Sequence, residues 1–313
     1  MNFIGTRKKV FASGSKIMLL LMLLLGLCGC GYAKTEAVPE EAPKLSGTVA
    51  YLGPEGTYTQ EACEIVFGQQ GTFTPFKTVN EAVQALSDGK TEYAVIPQEN
   101  TIGGAVADYE DTLITFTNVS VVGEVELLIR QNLLGLPDAS LDEVKQVYSH
   151  KQGLAQGKDW LEKNLPNAGV TEVSSTAEGA RMVSEDQDPS HAAIASAGCA
   201  EVYGLKILAA DIQNNDNNKT RFYVLSLAEP SAAETERLAF IASGPASKLP
   251  KLMEELRKQG MTLVSLHDRP AKTELGQYRY LIECADSSYE DYKKLTGGSA
   301  FQFRYLGSFR VFR

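Results

Sequence analysis

The sequence is poor in the residues that build metal centres and disulfide frameworks. It has three histidines, none spaced from another as metal ligands usually are, and five cysteines in 313 residues. Two cysteines lie in the first thirty residues, and the others, Cys63, Cys199 and Cys284, are far apart. The GxxG at 53–56 is not a dinucleotide-binding fingerprint. We therefore expect no metal and no cofactor, and we interpret the three later cysteines as buried free thiols.

Positive charge is also scarce. The chain has 30 lysines and arginines against 39 aspartates and glutamates, a formal net charge of −9. A surface of this sign repels a phosphate backbone, which argues against a nucleic-acid partner. An anionic small molecule would need locally placed positive groups in order to bind, because the overall field opposes it.

The first thirty residues have the pattern of an export signal. Four basic residues and no acidic residue accompany an apolar run at 17–27, which is too short to span a membrane comfortably. Leu27-Cys28-Gly29-Cys30 follows and resembles a bacterial lipobox with Cys30 as the lipidated residue. Residues 1–30 would then be a signal peptide, and acyl chains on Cys30 would anchor the exported protein to a membrane. A plain secretory signal, an uncleaved anchor and a cytoplasmic protein are the alternatives.

Two polar segments divide the rest of the chain. Residues 31–47 contain two prolines and several glutamates, which predicts a flexible tether. Without residues 1–30 the chain keeps 26 basic and 39 acidic residues, a net charge of −13. A second polar segment at 228–237 predicts a domain boundary, which gives domains at 48–226 and 238–313.

Short apolar runs alternate with helical patterns between residues 48 and 226. Strands are predicted at 48–52 and at 93–96, where Pro97 should end the strand, and helices at 58–67 and 154–165. This alternation predicts an α/β fold with helices over mostly parallel sheets. Because the strands fall into two sets, we expect two lobes with a cleft between them, as in periplasmic binding proteins.

The C-terminal part has a different pattern. Residues 249, 252, 253 and 256 form one apolar helix stripe, and alternating strands surround it. A second short helix is predicted to begin at a serine cap, Ser288. The order strand–helix–strand–strand–helix–strand over 238–313 predicts an α+β ferredoxin-like unit.

Polar clusters follow several predicted strands, where α/β proteins bind their ligands. They lie at 53–57, 97–101, 149–152 and 218–222, and a fifth, 174–176, starts a helix. Any one of them alone would be interpreted as a helix cap or a turn. Their recurrence favours a ligand site, because hydroxyls, amides and helix N-termini together suit carboxylates.

These clusters also carry a family resemblance. The segments YLGPEGTYTQEA (51–62), VIPQENTIGGAV (95–106), VYSHKQGLAQ (147–156) and NKTRF (218–222) resemble, in the same order, the motifs of prephenate dehydratases. The resemblance covers about residues 48–226. It implies an enzyme that converts prephenate into phenylpyruvate, water and carbon dioxide in phenylalanine biosynthesis, without a cofactor.

The resemblance also implies roles for individual residues. Thr220 matches the family's threonine and would donate a hydrogen bond to the departing hydroxyl group. Arg221 would clamp a substrate carboxylate or form a structural ion pair, and in a strand it would point away from Thr220. Motif position gives the further candidate substrate contacts Thr57, Asn100, Thr101, Ser149, Gln152 and Ser175. Gln131 stands where the family usually has a histidine.

Residues 238–313 resemble the ACT regulatory domain of this family, with HDRPAKTELGQYRYLIE (267–283) similar to its Glu-Ser-Arg-Pro region. This implies an amino-acid effector and a homo-oligomer, a dimer or a tetramer. The regulatory candidates are Leu249, His267, Asp268, Arg269 and Pro270. Feedback inhibition is in doubt because His267-Asp268 replaces Glu-Ser and the family's Gly-Ala-Leu segment is reduced.

Other functions fit parts of these patterns. Arogenate differs from prephenate by one amino group, and no residue in the sequence stands out as its partner. A two-lobed cleft on a lipid tether is also the architecture of a solute-binding lipoprotein. An amino-acid sensor with an inactive catalytic domain is a further alternative, although its regulatory motifs are altered. The retained Thr220 favours the enzyme, since binding alone does not require it.

Overall fold

The computed structural model describes residues 45–233, 235–297 and 299–313. The predicted signal peptide, Cys30 and nearly all of the predicted tether lie outside this part of the chain. Within it, no helix is both long and apolar enough to cross a membrane.

The described residues form strands and helices that alternate along most of the chain. The strands are β1 (Gly47–Leu52), β2 (Gly71–Phe76), β3 (Tyr93–Asn100), β4 (Gly104–Ala105), β5 (Ser120–Leu128), β6 (Asn132–Gly135), β7 (Gln146–Ser149), β8 (Gly169–Glu172), β9 (His191–Ala195), β10 (Lys206–Ala209), β11 (Lys219–Ser226), β12 (Arg237–Pro245), β13 (Thr262–Pro270), β14 (Gln277–Ala285) and β15 (Gln302–Phe312). The α-helices are α1 (Tyr58–Phe67), α2 (Val79–Ser87), α3 (Ala107–Thr115), α4 (Lys151–Gln156), α5 (Lys158–Asn164), α6 (Thr176–Asp186), α7 (Ala197–Tyr203), α8 (Leu249–Lys258) and α9 (Tyr289–Thr296). Short 3-10 turns lie at Gly68–Gln70, Leu141–Glu143 and Ala246–Lys248.

Two sheets define two lobes. The first lobe has the strand order β5-β11-β3-β1-β2, with parallel pairing among β1, β2 and β3 and antiparallel pairing on both sides of β11. The second lobe has the order β10-β6-β9-β7-β8, with β7 parallel to β8 and β9. Helices pack on these sheets, which confirms the two-lobed α/β fold.

The C-terminal unit contains β12, α8, β13, β14, α9 and β15 in the predicted order. Its four strands are antiparallel and lie in the order β13-β14-β12-β15, the ferredoxin-like arrangement. Ser288 caps α9 and forms a reciprocal capping box with Asp291, as the sequence indicated for that helix start.

The C-terminal unit is fused to the first lobe. The end of β15 pairs in parallel with β5, so the sheet of the C-terminal unit and the sheet of the first lobe form one continuous sheet. Tyr109 and Tyr223 of the first lobe share a buried core with Leu281 and Phe309 of the C-terminal unit. One face of β11 therefore packs against the C-terminal unit, since Tyr223 of this strand lies in the shared core.

Some predicted elements differ from the structure. Helix α1 has the predicted bounds, but β3 continues through Pro97 to Asn100. The sheet tolerates this proline because a bulge leaves Gln98 without a partner on β11. The single helix predicted at 154–165 is two short helices that meet at Gly157, whose φ and ψ (−94° and 4°) are not helical.

Candidate active site in the cleft

A cavity of about 870 Å³ lies between the two lobes. The first lobe contributes the segment after β1, the end of β3 and the start of β11. The second lobe contributes α4 and the start of α6. Among the residues predicted from motifs, the structure brings together here Thr57, Asn100, Gln152, Ser175 and Thr220.

Thr220 lies on β11 beside Asn100 on β3. The Asn100 side-chain amide donates to the Thr220 hydroxyl oxygen at 3.0 Å. The other side-chain atom, Oδ1, accepts from the backbone N–H groups of Ile102 and Gly103 at 3.0 and 2.9 Å, which fixes the amide orientation. Because the Thr220 oxygen accepts from Asn100, its hydroxyl hydrogen remains free to be donated into the cavity.

The loop after Asn100 reaches across to the second lobe. A Cβ on Gly103 would lie 2.7 Å from Nε2 of Gln152, so a larger residue would require Gln152 to move. Tyr58, at the start of α1, donates its hydroxyl to the backbone oxygen of Arg130 at 2.7 Å, in the segment that joins β5 to β6. Gly103 thus lies next to the second lobe, and Tyr58 binds the segment that connects the two lobes.

Helix starts in the second lobe face the cavity. Ser175 caps α6 by accepting from the N–H of Glu178 at 2.9 Å, and His150 caps α4 by accepting from the N–H of Gln152 at 3.3 Å. An N-terminus of a helix such as α6 favours an anion. The structure therefore supplies partial positive charge from this side of the cavity.

The charged side chains around the cavity are all basic. Lys77 comes from the segment after β2, and Lys151 lies at the start of α4, with His150 beside it. No aspartate or glutamate lines the cavity in the described part of the chain, although the whole chain has a net charge of −9. The cleft thus provides the local positive groups that an anionic ligand requires.

Three predicted contact residues lie outside the cavity lining. Ser149 is fully buried and donates to the backbone oxygen of Ile194 at 2.6 Å, which ties β7 to β9. Thr101 exchanges hydrogen bonds with the backbone of Lys219, at 3.1 Å in each direction. Both hydroxyl groups therefore support the strands that carry the site.

Arg221 is the third of these residues, and its geometry fits the structural ion pair. Successive side chains of β11 point to opposite faces, so Arg221 faces the C-terminal unit while Thr220 faces the cavity. Its guanidinium lies 2.8 Å from carboxylates of both Glu99 and Glu283, and 3.5 Å from Glu124. Of the two roles predicted for Arg221, this geometry favours the structural ion pair over the substrate clamp, because three carboxylates of the chain already surround its guanidinium.

The sequence left other cavity residues unrecognised. Lys77 follows β2, and the sequence patterns did not predict this strand. They therefore gave no indication that Lys77 lies beside the site. Gln131 was noted only as a departure from the family, but it lines the cavity and donates to Gln156 at 2.7 Å. Phe222 is buried in the core of the first lobe and also forms part of the cavity wall.

The regulatory candidates on β13 contact the first lobe instead of a solvent-filled site. His267 Nδ1 is hydrogen-bonded to the hydroxyl of Tyr109, and burial lowers the pKa of His267. Arg269 forms a bidentate pair with Asp111, with both distances 2.8 Å. Beside them, burial raises the pKa of Glu110 to about 7, more than the nearby Arg269 lowers it. The contacts of His267 and Arg269 with Tyr109 and Asp111 join β13 to α3.

The other regulatory candidates are placed differently. Leu249 is partly buried against the core of the C-terminal unit. Asp268 and Pro270 alternate with His267 and Arg269 along β13, so their side chains point to the other face of that strand.

The fold and the cleft define a two-lobed α/β protein with a ligand cavity and a fused ferredoxin-like unit. The family model for prephenate dehydratase matches residues 49–230, more than half of the chain. The chain therefore belongs to the prephenate dehydratase family.

Known proteins of similar sequence include monofunctional and bifunctional prephenate dehydratases. The bifunctional chorismate mutase/prephenate dehydratase of Neisseria gonorrhoeae is 37% identical over 238 residues, which are 75% of this chain and 66% of that protein. The prephenate dehydratase of Lactococcus lactis subsp. cremoris is 29% identical over 275 residues, which are 84% of this chain and 98% of that protein. The chain thus spans about two thirds of the bifunctional relative and nearly all of the second one.

A solved structure shares the whole described fold. The crystal structure of prephenate dehydratase from Arthrobacter aurescens, in complex with L-Phe, has a TM-score of 0.75 and 27% identity. The match covers 84% of this chain and 90% of that one.

Proposed function

We propose that this chain is a prephenate dehydratase, a carbon–oxygen lyase that converts prephenate into phenylpyruvate, water and carbon dioxide. The observation that carries the proposal is the Thr220 hydroxyl, which accepts from Asn100 at 3.0 Å inside a cleft that no acidic side chain of the described residues lines. The substrate is a dianion, and the cleft offers the positive groups that a dianion needs.

The reaction requires a poor leaving group to depart. As the ring carboxylate leaves as carbon dioxide, its bonding electrons enter the ring, which becomes aromatic while the ring C–O bond breaks. The departing oxygen leaves as hydroxide, and Thr220 stabilises it with a hydrogen bond until it gains a proton and becomes water. A threonine hydroxyl is a weak acid, so any proton transfer comes late in bond breaking. One preorganised donor of this kind is worth about 2.7–4 kcal/mol.

Most of the remaining catalytic effect comes from placement and charge. The loop held by Asn100 brings Gly103 of the first lobe next to Gln152 of the second, so both lobes border the substrate. Holding the reacting groups in a productive geometry contributes to the rate without any covalent step.

Replacing Thr220 tests its role directly. We expect Thr220→Ala to lower kcat by about 10²–10³-fold, because the donor to the leaving oxygen is lost, while KM changes little. Thr220→Ser keeps the hydroxyl and should retain most turnover. The measurement follows phenylpyruvate absorbance in base. Thr74→Ala, at an exposed position of β2 outside the cavity, is the control and should match the unaltered chain.

Two results would contradict this function. Wild-type kcat in Thr220→Ala would remove the assigned role. Tight binding of prephenate or another solute without turnover by the unaltered chain would favour the solute-binding lipoprotein.

Charge in the cleft also separates prephenate from arogenate. Arogenate carries an ammonium group, and among the described residues no carboxylate lines the cavity to pair with it. We therefore propose prephenate as the preferred substrate. Equal or higher kcat/KM with arogenate would contradict this preference.

The cleft lysines should contribute to binding rather than to the chemical step. We expect Lys77→Met and Lys151→Met each to raise KM about two- to fivefold, because an exposed ion pair is worth about 0.2–1 kcal/mol. The change should shrink at high salt, which screens exposed charges. Lys90→Met is the matched control, since this exposed lysine pairs with Asp88 away from the cleft. An unchanged KM in both cleft variants would contradict the electrostatic role.

We also propose that residues 48–226 form the catalytic domain and that residues 238–313 form an ACT domain, within a homo-oligomer. The ferredoxin-like fold and the L-Phe bound to the Arthrobacter aurescens protein support the second assignment. His267 and Arg269 are engaged by α3 of the same chain, so we expect L-phenylalanine to inhibit only weakly. Inhibition by micromolar L-phenylalanine in the same assay would contradict this expectation.

For the N-terminus we propose an exported lipoprotein anchored through Cys30, on the sequence pattern alone. Metabolic labelling with a fatty acid in a bacterial host should mark the unaltered chain but not Cys30→Ala. Cys63→Ala is the control, because this buried cysteine lies in α1 and should leave the labelling unchanged. Labelling that persists in Cys30→Ala would refute the anchor.

A further inference from the structure

A buried cluster of charges joins the first lobe to the C-terminal unit directly behind the cleft. Its members, called here the interface cluster, are Glu124 on β5, Arg221 on β11, Arg237 on β12 and Glu283 on β14. The side chains of Glu124 and Glu283 are completely buried. Burial of this kind is costly unless each charge is paired. Arg221 and Glu283 are hydrogen-bonded, whereas Oε1 of Glu124 and Nε of Arg237 have no hydrogen-bond partner among the described residues.

Glu283 is the centre of the interface cluster. Its carboxylate accepts from Arg221 at 2.8 Å, from the hydroxyl of Tyr223 at 2.6 Å and from the side chain of Gln98 at 3.0 Å. Arg237 Nε lies 3.2 Å away. A side chain of the C-terminal unit is therefore bound by two residues of β11 and by the bulged residue of β3.

Glu124 is the second buried carboxylate of the interface cluster. Burial, and then the neighbouring Glu283 carboxylate, raise the pKa of Glu124 well above its usual range. Arg221 pairs with Glu99 and Glu283, and Arg237 pairs with Glu283 and Glu126. Replacing Glu283 with a neutral residue would leave Arg221 with one strong partner fewer in a buried place.

Glu283 contacts residues of β11 and β3, the two strands that carry Thr220 and Asn100. Arg221 is adjacent to Thr220 on β11, and Gln98 is two residues from Asn100 on β3. Arg221 also pairs with Glu99, which is adjacent to Asn100. The bulge at Gln98 lets both Gln98 and Glu99 reach the interface cluster while Asn100 faces Thr220.

We propose that Glu283 is a positioning residue for the dehydratase reaction, contributed by the C-terminal unit, and that it acts through Arg221 and Gln98 on Thr220 and Asn100. The inference rests on the proposed function. It assigns the C-terminal unit a part in building the active site, in addition to any effector binding. Glu283 itself touches no substrate.

The test is Glu283→Gln in the full chain, a change that keeps the shape and removes the charge. We expect kcat to fall about 10- to 100-fold with KM within about twofold, since a displacement of about 1 Å at a reacting group can cost 10²-fold. Thermal unfolding checks that the variant is folded at the assay temperature. Asp111→Asn is the matched control, because it breaks the ion pair with Arg269 at the same interface but away from β11. Its kcat should stay within about twofold of the unaltered chain.

A double variant separates positioning from general loss of structure. Residues that act as a unit give non-additive losses, so Glu283→Gln should lower kcat little further in a Thr220→Ala background. A fully additive loss would overturn the proposal, as would equal losses in Glu283→Gln and Asp111→Asn, or wild-type kcat in a folded Glu283→Gln.

A second variant and the turnover of the unaltered chain complete the test. If Glu283→Gln does not fold, Gln98→Met removes the side-chain amide that donates to Glu283, and unchanged kcat in that folded variant would overturn the proposal. Turnover by the unaltered chain is measured first. Its absence would remove the proposed function, whereas turnover that Glu283→Gln leaves intact would remove only the positioning role.

Discussion

The alternation of side chains along β11 is the constraint on which both the cleft and the domain interface depend. Thr220 and Phe222 line the cavity, whereas Arg221 and Tyr223 contact Glu283 of the C-terminal unit. Strand β11 is paired on both sides, with β3 and β5, so its register is fixed. A slip of one residue would exchange the two faces and would turn a buried arginine into the cleft.

The distribution of charge follows from that arrangement. The chain has a net charge of −9, yet three glutamates next to the site, Glu99, Glu124 and Glu283, lie behind it with Arg221. Arg221 pairs there with Glu99, Glu124 and Glu283, and Arg237 also pairs with Glu283. The cleft on the other face keeps Lys77 and Lys151, so an anion meets a locally favourable field.

The fused sheet gives the C-terminal unit a structural part in the enzyme. Strand β15 extends the sheet of the first lobe, and residues of both units share one core. Contacts between α3 and β13 add a second attachment through Tyr109 and Asp111. A change in the C-terminal unit therefore has a direct physical route to β3 and β11, where Asn100 and Thr220 lie.

The α/β class and the ferredoxin-like unit could be predicted from periodicity, which is a local property of the chain, and the family resemblance of the strand-end motifs indicated five residues of the cleft. The sequence also indicated that Thr220 and Arg221 would point apart if their segment were a strand. The assembled fold set the contacts of Arg221, since Glu99, Glu124 and Glu283 come from three separate strands. It likewise decided that Lys77 belongs to the cleft and that Ser149 does not, because each depends on which strands become neighbours. Such neighbours are set by packing between distant segments, which no local pattern in the chain encodes.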